Sequence, residues 1–164
     1  MENLSIRKML SWAAVLLWMA LIFSLSHQPA SESSEMSSGI TEMVMETVEQ
    51  ILPVAETDFD QFEHIIRKNA HFFIYLILGI LAIHASRGSG SHSFKRIGLA
   101  VGICVLYAMS DEFHQLFISG RSGEVRDVMI DSSGAFAGIT FYCLTGKMLR
   151  RNKQKVFHRR QVQG

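Results

Sequence analysis

A small set of polar residues in an otherwise apolar chain has the types and spacing to do chemistry. Glu112 and His114, with Asp111 or Asp127 nearby, offer a general base and its partner. Asp111 shares a helix face with His114 and Gln115. Lys68, His71 and Tyr75 follow i, i+3, i+7 spacing and share another face. Asp127 and Asp131 stand one helical turn apart, and Arg121 lies between these groups in the chain. Arg67, Lys68 and Arg121 can meet a phosphate or carboxylate, the arginines bidentately. There is no HExxH, no paired cysteine ligand set and no nucleophile elbow. A divalent metal would need three of His71, His114, Glu112 and Asp127 to converge, so the sequence assigns neither metal nor cofactor.

The elements that carry these residues are apolar. Met9 to Ser26 is an uncharged run of 18 residues, and Asn69 to Ser86 is another of 18. Ile97 to Ser110 gives 14 and Ser132 to Gly146 gives 15. Runs near 18 read as membrane spans, and the shorter two are ambiguous alone. Four such runs in 164 residues leave few amphipathic helices to enclose them, so buried core helices are rejected. A signal peptide cleaved after Ala30 is a poor match, because Gln28 would sit at its minus-three position. The first run is therefore read as a span.

Composition agrees with this reading. Apolar residues make up 48% and charged residues 19%, which excludes overall disorder. Two cysteines exclude a disulfide scaffold, and Cys104 and Cys143, inside spans, read as reduced packing residues. The formal charge of +1 hides a sorted distribution. The N-terminal segment, the linker after span two and the C-terminal tail hold 12 basic residues against one acid, Glu2. The other two connections hold four basic residues against 14 acids. Lysine and arginine stay on the cytoplasmic side of short loops, so both termini are expected inside, in a multi-pass cell-membrane protein. Nothing points to a nucleic-acid partner, and the expected partner is the lipid bilayer.

The expected architecture is an all-α membrane four-helix bundle. Its domain covers residues 1–146, with spans near 9–26, 69–86, 97–117 and 126–146, followed by a basic tail at 147–164. Between spans one and two, Ile40, Met43, Val44, Val48, Ile51 and Leu52 follow a helical period and predict an amphipathic extracellular helix. A second helix is expected to start near Asp58 and run unbroken into span two. Helices of 14 and 15 residues rise ~21 and ~22 Å against a ~30 Å hydrocarbon core. Spans three and four must therefore lengthen, mainly at their outer ends, to about Ile118 and back to Glu124. That draws Asp111, Glu112, His114, Asp127 and Asp131 below the head groups, level with Lys68, His71 and Tyr75. Such groups face a bundle interior, pair with one another or line a wet cavity. Gly134 and Gly138 form a GxxxG contact for close helix packing.

With these residues assembled, the sequence resembles the VanZ-like family, named after a protein associated with teicoplanin resistance. The resemblance rests on Phe23-Ser24-Leu25-Ser26-His27-Gln28-Pro29, on Arg67 to Tyr75, and on Ser110-Asp111-Glu112-Phe113-His114-Gln115 through Gly120-Arg121. Asp127 and Gly134 to Gly138 complete it. Asp131 departs from the pattern, since many relatives carry asparagine there, and proline is frequent near Ser119. The resemblance implies a bacterial membrane protein linked to glycopeptide tolerance.

Three readings of the polar set follow. The pocket binds a lipid-linked cell-wall precursor or lipoglycopeptide, with Lys68, His71, Tyr75, Gln115, Arg121 and Asp131 as contacts. Alternatively it is a hydrolase or transferase on a lipid-linked substrate, with Glu112, His114, Asp111 and Asp127 as acid–base groups. In the third reading the charges neutralise one another as His71–Asp111, Arg121–Asp127 and Lys68–Glu112. His27 reads as part of an outer connection.

Overall fold

A computed structural model of the chain describes residues 2–29, 35, 38–39, 59–87, 93–121 and 123–162. Among the described residues there are four long helices: α1 (Glu2–Ser26), α2 (Phe59–Ser86), α3 (Ser93–Gln115) and α4 (Val125–Val162). Each contains a stretch long and apolar enough to cross a membrane: Ser5–Ser26, Ile65–Ser86, Ser93–Gln115 and Val125–Leu149. The all-α, four-span expectation holds. The amphipathic helix expected over 40–52 lies outside the described residues. The second helix starts at Phe59 and runs without a break, as read from the sequence.

The burial pattern suits lipid. Leu17, Leu106 and Phe136 point outward, 72%, 68% and 59% exposed, while Asp111 and Asp131 are buried. An apolar exterior around a partly polar interior is what a bilayer requires, since buried charges then face other protein groups.

Three helices carry a continuous inward stripe. On α3, Ala100, Cys104 and Ala108 are fully buried, and the same stripe ends in Asp111, Glu112 and Gln115. On α2 the stripe runs through Tyr75, Leu78 and Ala82. On α4 it runs from Asp131 through Ala135 to Ile139. Small residues let the backbones approach. A Cβ on Gly134 would strike the carbonyl of Phe72, and one on Gly138 would strike that of Leu76. Successive contacts climb both helices in the same direction, so α2 and α4 run parallel. Their interface is the most extensive in the bundle.

Helix α1 packs mainly on α2. Val15 and Ile22 bury there, and the Trp18 indole N–H donates to the Ile74 carbonyl at 3.0 Å. The Tyr107 hydroxyl of α3 donates to the Met19 carbonyl. Aromatic N–H and O–H groups that find backbone acceptors can be buried without desolvation cost.

The α3–α4 connection decides where the charged ends stop. Helix α3 ends at Gln115, short of the expected Ile118. Tighter bonds close it, from Phe117 N–H to the His114 carbonyl and from Ile118 N–H to the Gln115 carbonyl, each 3.0 Å. Gly120 then adopts φ 75°, a conformation that costs glycine little, and the chain reverses.

Candidate functional site

The C-terminal ends of α1 and α3 and the N-terminal halves of α2 and α4 meet at one end of the bundle. The polar groups gather there because each lies on the inward stripe of its helix. Lys68 is the anchor between α2 and α4. Its Nζ lies 2.7 Å from Asp127 Oδ1 and 3.5 Å from Glu124 Oε2. One turn deeper, His71 Nδ1 lies 3.7 Å from Asp131 Oδ1. Parallel α2 and α4 at glycine distance produce this ladder, because residues three or four apart on one helix meet the corresponding turn of the other.

Helix α3 supplies the opposite wall. Ser26 of α1 donates its hydroxyl hydrogen to Asp111 Oδ2 at 2.8 Å, in a fully buried bond. Glu112 turns toward the loop and accepts the Glu124 backbone N–H at 2.6 Å, so it fixes the start of α4. Tyr75 is completely buried, with its ring 6.3 Å from that of Tyr107. His114 turns aside to His27, whose Nδ1 lies 3.1 Å from His114 Nε2, and its ring stands tilted 4.6 Å from that of Phe23. Arg121 reaches over the end of α1 and donates to the Leu25 carbonyl at 3.4 Å.

Between these walls is a cavity of about 100 Å³. Arg67, Lys68, His71, Glu112, Gln115, Gly120, Arg121, Glu124, Asp127, Ile130 and Asp131 line it. Arg121 lies in the connection beside Arg67. Its burial and the Arg67 charge pull its guanidinium below the usual arginine range, while the Asp111 and Glu112 carboxylates oppose that shift. Arginine and carboxylate groups therefore line the same cavity, with Arg67 and Arg121 among Glu112, Glu124, Asp127 and Asp131.

Most of the sequence-predicted residues therefore come together, but in different pairs. Lys68 meets Asp127 and Glu124, not Glu112. His71 pairs with Asp131, although Asp111 is close. Arg121 donates to a carbonyl of α1, whereas Asp127 takes Lys68. Glu112, His114 and Asp127 are each engaged with a different partner, so they do not form one acid–base set. Sequence reasoning also missed α1. Ser26, His27 and Leu25 all contribute, and their signal was the polar Ser26-His27 pair immediately after an apolar run. Glu124, expected only as a helix start, is both ion-pair partner and backbone donor.

The Ser26 bond gives a direct test. Ser26→Ala leaves a buried carboxylate oxygen unsatisfied and is expected to lower stability by about 1.5–3 kcal/mol. Thermal unfolding of the detergent-solubilised protein should register this as a lower Tm, and Ser26→Thr, which keeps the hydroxyl, should recover most of it.

No curated protein and no solved structure matches the sequence. The profile of the VanZ/LLP1 family does, over residues 11–146, which include all four apolar spans almost completely and every residue of the cavity. A four-span helical chain carrying that match belongs to the VanZ/LLP1 family, and is a VanZ-like multi-pass membrane protein.

Proposed function

We propose that the cavity opens to the outer face of the cytoplasmic membrane and receives an anionic group of an envelope lipid or lipid-linked cell-wall precursor. Through that contact the protein contributes to glycopeptide tolerance, with teicoplanin, itself lipidated, as the leading case. The carrying observation is the charge arrangement of the cavity. Lys68 is neutralised by Asp127 and Glu124, and Glu112 is held by the Glu124 N–H. Arg121 spends one of its five donors on the Leu25 carbonyl, which leaves its guanidinium able to donate to an incoming anion on the side of the cavity away from the Lys68 ion pairs. A phosphate or carboxylate placed there would face a bidentate donor without displacing the acids.

Orientation follows from the charge split. The segments with 12 basic residues precede spans one and three and follow spans two and four, whereas the cavity residues lie toward the other ends of those spans. The cavity end is then the outer one. Binding is favoured over turnover because Glu112, His114 and Asp127 point to separate partners.

The test compares cells that express wild-type protein, Arg121→Ala or no protein. Arg121→Ala is expected to reach the membrane at wild-type yield and to lose most of the teicoplanin tolerance. Full tolerance in that variant would overturn the assignment of the cavity. Lipid and cell-wall precursor profiles from the same cells separate binding from turnover, since a new or missing species appears only if the protein transforms its ligand.

A further inference from the structure

His71, Asp111 and Asp131 converge from three helices, and His71 and Asp131 also line the cavity. One ligand-capable atom from each lies within 4.8 Å of the others. The two carboxylates are 2% and 1% exposed. From these positions we propose that the triad binds one divalent transition-metal ion, with zinc as the leading candidate. This inference does not depend on whether the cavity receives a lipid.

Charge makes the first argument. Two ionised carboxylates so close together, away from water, repel strongly and are costly to desolvate. A single imidazolium would leave one negative charge in excess. A divalent cation with a neutral imidazole balances the set. Donor satisfaction makes the second argument. Asp111 Oδ1 and Asp131 Oδ1 are both buried without a hydrogen-bond partner among the described residues. The 3.7 Å from His71 Nδ1 to Asp131 Oδ1 is too long for a hydrogen bond, so that pair does not satisfy itself.

Geometry and support complete the case. Zinc bonds of 2.0–2.2 Å put donor atoms roughly 3.4 Å apart in a tetrahedron, so the triad closes on an ion with a small inward turn of its side chains. Ser26 holds Asp111 by its other oxygen, as an outer partner holds a liganding carboxylate. His71 and Asp131 also line the cavity, which leaves a fourth position for water or an incoming oxygen ligand. One imidazole with two carboxylates suits zinc or manganese better than calcium, which takes six to eight oxygen ligands.

The experiment uses full-length protein without a polyhistidine tag, purified in detergent. Elemental analysis is expected to find about one zinc or manganese per chain. A chelator should remove the ion and lower Tm, and added zinc should restore both. Cobalt loading should give visible ligand-field bands. Asp131→Asn and His71→Gln should weaken binding by more than roughly a hundredfold, because loss of outer partners alone costs 10–100-fold. His114→Ala should leave binding intact and controls for the nearby His27–His114 pair. If the wild-type protein holds no metal and neither zinc, manganese nor cobalt shifts its Tm, the proposal fails. It also fails if binding follows His114 instead of the triad. The wild-type measurements decide the matter even where a variant does not fold.

Discussion

Gly138→Leu is expected to abolish correctly folded protein. The side chain would enter the space held by the Leu76 carbonyl of α2. A flexible side chain could move aside, but a helical carbonyl cannot turn without breaking its own hydrogen bond. The helices must separate instead, and the neighbouring Gly134–Phe72 and Gly79–Ala135 contacts would open with them. Overpacking in an ordinary core costs typically 1–3 kcal/mol. Here the obstacle is backbone and the seam is shared, so about 3 kcal/mol or more is expected. Fluorescence-detected gel filtration should show loss of the monodisperse peak. Gly102→Ala is the control, because a Cβ there meets nothing within 4 Å. Its variant should run like wild type. A normal peak for Gly138→Leu would mean that α2 and α4 do not pack through these glycines.

Lys68→Met should produce the second large effect. It leaves Asp127 and Glu124 facing each other without their shared cation. Removing one partner of a fully buried pair costs 3–5 kcal/mol. The side chains of Lys68 and Asp127 are 16% and 31% exposed, so solvent screens part of this and about 2 kcal/mol is expected. The double variant Lys68→Met with Asp127→Leu should recover at least half of the lost Tm, since only the more exposed Glu124 is then left without its cation. If the double variant is no better than the single one, the pair does not stabilise the α2–α4 contact. The same double variant, once folded, reports on function separately. Tolerance lost while Tm recovers would place the charges in ligand contact.

Particular residues show how far the sequence could be read. The four spans, the unbroken entry into α2 and the GxxxG seam were legible, because hydropathy and small-residue spacing act within one helix. The inclusion of Lys68, His71, Asp111, Glu112, Gln115, Arg121, Asp127 and Asp131 in one region was also legible. Short apolar runs had to be extended to cross the bilayer, and extension drew these residues inward. The pairing was not. Whether Lys68 meets Glu112 or Asp127 depends on which helix lies nearer, and no spacing along one helix encodes that. The part played by α1 was hidden for the same reason. Ser26 is 85 residues from Asp111 in the chain, and a serine at the end of a span is common.

The sequence by itself determined the membrane class, the number of spans and the end of the bundle at which the charges gather. These follow from the cost of unpaired polar groups in hydrocarbon and from the length a helix needs to cross it. Tertiary structure alone decided the partners. Glycine contacts set α2 and α4 parallel and close, which gave Lys68 to Asp127 and His71 to Asp131. The left-handed turn at Gly120 ended α3 early and swung Arg121 over α1. Differences of about an ångström or two in helix separation determine which charges touch, and these separations are fixed only when all four helices pack at once.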